Sequence, residues 1–232
     1  MRERPKFSAI CFDCDGTLTR IEGIDELARR SGQEDEIAPL TAAAMEGSLS
    51  LEDVYAKRLA IVRPDQDALA WLGQRYVEEI VDGAVETIAT LQRLGKSIYL
   101  VSGGLLQPVV VLAQALAIPL SNVCAVEIYL DSDGNYVGFD GGSPLVRSDG
   151  KAEVCRGLAA RHGALAMVGD GVTDLNARAG GAFVVGFGGV TRRHVMAEGA
   201  DCFIDGMLAR TLEVLLTGAE LRDAKWSNRT LT

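Results

Sequence analysis

The hydrophobic pattern opens with a compact apolar run, SAICFD (8–13), which predicts a first buried strand whose carboxyl end is Asp13. Residues 22–32 then carry helical spacing, with Ile24, Leu27 and Ala28 on one face. From 35 to 80 the apolar positions Met45, Leu49, Leu51, Val54, Leu59 and Ile61 again suit helices, Pro39 and Pro64 punctuate them, and no strand-like run intervenes. This stretch reads as a helical insertion. At Asp82-Gly83 the pattern changes: a helix is predicted over 83–94, with Asp82 as N-cap and Gly95 as C-cap.

SIYLV (97–101) predicts a second buried strand ending at Ser102-Gly103-Gly104, followed by a helix over 105–116 with Pro108 in its first turn. Residues 124–140 hold two short strand-like runs about Asp131–Asn135, a hairpin signal. A helix over 149–162 precedes ALAMVG (164–169), a third strand ending at Asp170, and 182–187 and 202–204 read as further strands. The last residues are polar and are expected to fray. Strand–loop–helix repeats of this kind predict an α/β fold, a parallel sheet with helices on both faces. In such sheets ligands lie beyond the carboxyl ends of the strands. Three of the predicted strand ends carry Asp13/Asp15, Ser102 and Asp170/Asp174.

Composition narrows the classes. The 232 residues suffice for one α/β domain with a small inserted module. A net charge of -9 disfavours nucleic acid as a partner. No run of ~20 apolar residues predicts a membrane span, and the charged N-terminus leading straight into a strand does not read as a signal peptide. Five scattered cysteines fit a reducing cytoplasm better than a disulfide framework. Cys11 and Cys14 form a lone C-x-x-C, which reads as two small buried side chains rather than half a metal site.

The chemistry gathers at the strand ends. In Asp13-Cys14-Asp15-Gly16-Thr17, a strand end followed by a turn lets both carboxylates face one site. Proximity raises the proton affinity of one of them, so one can act as a nucleophile and the other as an acid. A carboxylate approaching a phosphate dianion meets about 4 kcal/mol of repulsion per unit-charge pair at ~4 Å and an effective dielectric near ~20. A cation must offset it. Mg²⁺ with Asp13 and Asp170 as ligands meets the need, with Asp174 one helical turn on in support. Ser102, the Gly103–Gly104 backbone and Lys151 can hold the remaining phosphoryl oxygens. Each motif alone has a plain reading: a solvated D-x-D-G turn, a Ser-Gly-Gly turn, a surface lysine, a capped helix start. Their order along the chain argues for the shared one.

At these residues, DCDGT (13–17), SGG (102–104), Lys151 and GDGVTD (169–174), the chain resembles the haloacid-dehalogenase superfamily of phosphatases. The resemblance extends to its phosphoserine phosphatase branch through EGIDELA (22–28), MEGSLSLEDVYAKRL (45–59), NYVGFD (135–140) and GFGG (186–189) followed by Thr191-Arg192. It implies a Rossmann-like core over 1–19 and 82–220, a helical cap over 20–81 and a polar tail over 221–232. It further implies that Asp13 is the nucleophile and Asp15 the general acid/base, that Ser102, Gly103, Gly104 and Lys151 bind the phosphoryl group, and that Asp13, the Asp15 carbonyl and Asp170 hold Mg²⁺.

By the same resemblance Glu22 receives the substrate ammonium and Arg58 its carboxylate, with Met45, Leu51 and Thr173 nearby. A head group bearing both charges independently calls for one carboxylate and one arginine fork. Gly16, Leu51 and Thr173 depart from residues common in the family. The implied partner is a small phosphomonoester, phosphoserine foremost, with no nucleic acid or membrane, as a monomer or homodimer. The alternatives are a phosphatase or phosphotransferase acting on another small phosphoester, a silent phosphate-binding module and a dehalogenase; Asp13 and Asp15 together argue against the silent module, and the second acid, Asp15, against the dehalogenase.

Overall fold

The computed structural model describes residues 7–45 and 48–229, the side chains of 45 and 225–229 excepted. In chain order, β1 (Ala9–Phe12) is followed by α1 (Gly23–Ser31), α2 (Glu34–Met45), α3 (Leu51–Val62) and α4 (Gln66–Glu78). Next come α5 (Ala84–Arg93), β2 (Ser97–Leu105), α6 (Leu106–Ala115), β3 (Val123–Val126), and the hairpin β4 (Ile128–Leu130) and β5 (Tyr136–Phe139). The chain continues through α7 (Gly150–His162), β6 (Leu165–Gly169), α8 (Val172–Asn176), β7 (Ala182–Phe187) and α9 (His194–Gly199). It closes with β8 (Cys202–Ile204), α10 (Leu212–Leu215) and α11 (Gly218–Arg229).

Six strands form one parallel sheet in the order β3-β2-β1-β6-β7-β8. Helices cover both faces, so the central strands read as unbroken apolar runs: Ile10, Phe12, Leu100, Val101, Val168 and Val184 are buried. β1 lies between β2 and β6, and the chain winds outward in opposite directions from that pair. The crevice at such a switch point, at the carboxyl ends of the strands, is where the loops after β1, β2 and β6 meet.

Helices α1–α4 bury Leu27, Ile37, Leu59 and Leu72. The two chain segments leading into and out of them run side by side. The Val81 amide donates to Leu18 O at 3.0 Å and the Arg20 amide to Glu79 O at 2.9 Å. Within this group α1 packs against α2 and α2 against α3, while α4 packs along α6 outside it.

Several local expectations change. Asp82 does not cap α5; Gly83 does, in a left-handed conformation (φ 81°), and the Asp82 carboxylate pairs with Arg20 at 2.8 Å. β2 does not stop at Val101 but continues through Ser102-Gly103-Gly104 to Leu105, with a register shift against β3. Pro39 lies inside α2 instead of ending it. Residues 221–229 continue α11 with Ala224 buried, and Glu220 of that helix pairs with the buried Lys96 at 2.5 Å. The fraying expected for 221–229 is thus replaced by a docked helix, because its charged partner just before β2 was invisible in a polar sequence. Residues 230–232 lie outside the described part. No helix among the described residues is long and apolar enough to cross a membrane.

Candidate active site

The Asp13 amide bonds to Val168 O across the sheet at 2.9 Å, which fixes the nucleophile candidate at the rim. Its Oδ1 accepts the Cys14 amide at 2.8 Å and lies 2.8 Å from Lys151 Nζ. The chain then turns at Gly16 with φ 67°, where a Cβ would collide with Asp170 Oδ2. Both the backbone sign and the space therefore require glycine. The turn sends the Asp15 side chain toward α1, where Oδ2 accepts the Gly23 amide at 3.0 Å.

From the neighbouring strand, Ser102 Oγ accepts the Gly104 amide at 3.0 Å, and the Tyr55 hydroxyl of α3 donates to Gly103 O at 3.0 Å. Lys151 stands in the first turn of α7 and also reaches Asp174 Oδ1 at 2.6 Å. The other Asp174 oxygen accepts the Gly171 amide at 3.0 Å. Asp170 Oδ2 accepts from Arg193 Nε at 3.0 Å, and a terminal nitrogen of the same guanidinium donates to Glu22 Oε1 at 3.0 Å.

Burial and crowding set the electrostatics. Burial, then the nearby Asp13 charge, pushes Asp170 up to about 6 and Asp174 to about 7. Asp15 rises to about 6, chiefly by burial, while the Tyr76 hydroxyl and the Gly23 amide pull it back. Glu22 is raised by burial and by Asp15 and Asp170. Burial alone would lower Lys151, yet Asp13 and Asp174 more than offset it and keep the ammonium charged. A carboxyl near 6 can hold a proton for a leaving group at neutral pH and take one back afterwards.

Asp13, Asp170 and Asp174 can offer oxygens within 4.8 Å of one another, and Asp170 Oδ1 is buried without a hydrogen-bond partner. All-oxygen donors and a spare, desolvated carboxylate oxygen suit a hard divalent cation.

One cavity joins these groups to the helical layer. It is lined by Asp13, Asp15, Ser102, Gly103, Gly104, Lys151 and Thr173 at the sheet end, and by Glu22, Leu51, Tyr55, Arg58 and Tyr76 on the helical side. Arg58 is 8% exposed; its terminal nitrogen donates to Thr41 Oγ1 at 3.3 Å, and its Nε has no partner. Burial weakens its hold on its proton, though Tyr55, Asp25 and Glu22 act in the opposite sense. A buried guanidinium that lines a cavity with its Nε free and only a neutral partner is a receptor for an anionic group.

The structure thus brings together the sequence-derived candidates Asp13, Asp15, Glu22, Arg58, Ser102, Gly103, Gly104, Lys151, Asp170, Thr173 and Asp174. Met45 ends α2, and its side chain lies outside the described residues. Sequence reasoning missed Arg193, Tyr55, Tyr76 and Ser148. An arginine in a loop and tyrosines on amphipathic helices carry no local signal, because only packing decides where their tips go. Cys11 and Cys14 are free and buried.

A carboxylate pair at the first strand end, a lysine beyond the Ser-Gly-Gly segment and an acidic loop after it place the chain in a known class, and the family model for haloacid dehalogenase-like hydrolases matches residues 7–180. The chain belongs to that family. Within it, the chain groups with the phosphoserine phosphatases: it is 35% identical to the phosphoserine phosphatase of Mus musculus over 84% of this chain and 88% of the relative. Among solved structures, a phosphoserine phosphohydrolase-like protein from Francisella tularensis superposes with a TM-score of 0.81 at 25% identity, covering 90% of this chain and 100% of the other. A phospho-aspartyl intermediate analogue of phosphoserine phosphatase superposes with a TM-score of 0.77 at 27% identity over 92% of this chain and 100% of the other.

Proposed function

We propose that this chain hydrolyses O-phosphoserine to serine and phosphate through an aspartyl-phosphate. The observation that carries the reading is the buried Arg58, with a free Nε and no ion pair among the described residues, lining the same cavity as the Asp13–Lys151 pair. A phosphomonoester with a zwitterionic head satisfies both ends at once.

In this reading Lys151, Ser102 and the Gly103–Gly104 backbone hold the phosphoryl oxygens, Arg58 grips the carboxylate and Glu22 receives the ammonium. An oxygen of Asp13 attacks phosphorus while the serine oxygen departs with the Asp15 proton. Asp15, now ionised, takes a proton from the water that attacks the aspartyl-phosphate, which frees phosphate and restores Asp13. Asp13, Asp170 and the Asp15 carbonyl, with Asp174 in support, would hold a divalent cation, Mg²⁺ in our proposal, which would supply charge to offset that of the phosphoryl group.

Residues 20–81 act as a cap over a core of 1–19 and 82–220, with hinges near 17–22 and 78–84 that open for substrate and close against water. We infer a cytoplasmic enzyme. Turnover of a panel of phosphorylated metabolites, with and without Mg²⁺, tests the assignment. Phosphoserine should lead and EDTA should silence it. A preference for phosphoethanolamine or a sugar phosphate overturns the substrate, and metal-independent turnover overturns the cation's role.

A further inference from the structure

Tyr76, near the end of α4, is wholly buried, and its hydroxyl has no hydrogen-bond partner. A buried tyrosine hydroxyl normally finds one, because leaving it unpaired costs about 1–3 kcal/mol. Asp15 Oδ1 is a second buried atom without a partner. The position of the hydroxyl is bracketed from two sides. A Cβ on Gly23 would collide with it, and the amide of that same Gly23 holds Asp15 Oδ2 at 3.0 Å. A Cβ on Gly104 would stand 3.7 Å from it and 3.1 Å from Ser102 Oγ. The phenol tip therefore lies between the backbone that grips Asp15 and the loop that faces the phosphoryl group.

We propose that Tyr76 is a positioning residue for Asp15, its hydroxyl donating to Oδ1 while the Gly23 amide holds Oδ2. Held at one oxygen, a carboxyl swings about its Cβ–Cγ bond; held at both, it presents one fixed edge. Oδ1 has lone pairs for two roles, one accepting the phenol and one carrying the proton that goes to the leaving oxygen. The bond to the leaving oxygen breaks as that proton arrives, and Tyr76 keeps its own proton throughout. α4 is anchored for this task by its packing along α6, so the phenol is delivered by a helix that touches the core. The inference rests on the reading of Asp15 as acid and base given above.

Leaving-group dependence is the test, since packing damage does not distinguish esters. Tyr76→Phe keeps the ring and removes the donor. It should lower kcat/KM for phosphoserine about tenfold, the scale of one hydrogen bond to a charged group, with the loss in kcat. On p-nitrophenyl phosphate, whose leaving group departs without a proton, the change should stay below about twofold. Equal losses on both esters, or none on either, overturn the proposal. A wild type that ignores phosphoserine but hydrolyses another alkyl phosphate defeats the substrate assignment instead, and the same alkyl–aryl comparison on that ester then decides Tyr76. A wild type silent on every ester overturns both.

Discussion

The two ends of the cavity are built differently. At the sheet end the backbone does the placing: Asp13 is tied to β6 by a ladder-type bond, Asp174 is held by the Gly171 amide and Lys151, and Gly16 admits Asp170. At the helical end Arg58 has one neutral partner, Thr41, and an idle Nε. Apart from α4, which packs along α6, the helical layer meets the sheet loops through side-chain bonds. Tyr55 donates to Gly103 O, the Leu51 amide donates to Ser148 Oγ at 3.0 Å, and Ser148 donates through its hydroxyl and amide to Glu52 at 2.8 and 2.9 Å. Chemistry that must be held to fractions of an ångström suits strand ends; in the proposed function, recognition falls to the helical layer.

Substitutions can break this contrast, and the largest effect belongs to the sheet end. Asp13→Asn should leave a folded protein and cost roughly 10⁴-fold or more in kcat, as loss of a nucleophile does. Substantial turnover by that variant would remove Asp13 as nucleophile. Arg58→Ala comes next. Truncating one partner of a buried charge pair costs about 2–5 kcal/mol, so KM for phosphoserine should rise on the order of 10²-fold while an aryl phosphate shifts only a few-fold. Equal losses on both esters would take Arg58 out of the recognition end.

Gly16→Ala probes the sheet end through geometry rather than charge. Positive φ and the collision with Asp170 together should cost about 1–3 kcal/mol of stability, read as a lowered Tm with activity falling alongside. An unchanged melting curve would mean that the turn is not constrained as described. The smallest effect belongs to the bonds between the layers. Glu52→Ala removes two exposed hydrogen bonds, worth about 1 kcal/mol in total, and should raise KM a few-fold with kcat nearly intact. Hydrogen exchange at residues 17–22 and 78–84 should slow when a phosphate analogue binds the wild type, and less so in this variant; identical rates with and without the analogue would argue against a moving layer.

The strands that carry the motifs were legible because each is a short apolar run ending in a polar turn, and a parallel strand buried on both faces leaves that trace whatever surrounds it. Asp13, Asp15, Ser102, Lys151, Asp170 and Asp174 could be read from local spelling and order for the same reason. Gly83 in place of Asp82 as the α5 cap was not legible, since either residue suits that position until Arg20 claims the Asp82 carboxylate. The docking of α11 was hidden because Lys96 and Glu220 lie too far apart in sequence to signal a pair.

What the sequence alone determined is therefore the sheet, the insertion and the order of the reactive groups, all encoded over a few neighbouring residues. Only the tertiary structure decided that Arg193 spans Asp170 and Glu22, that Tyr76 sets its hydroxyl against Gly23 and that Ser148 meets α3. Those contacts join side-chain tips from segments remote along the chain. Where a long side chain ends is fixed by the packing of whole elements, and no local pattern of hydrophobic and polar positions records it.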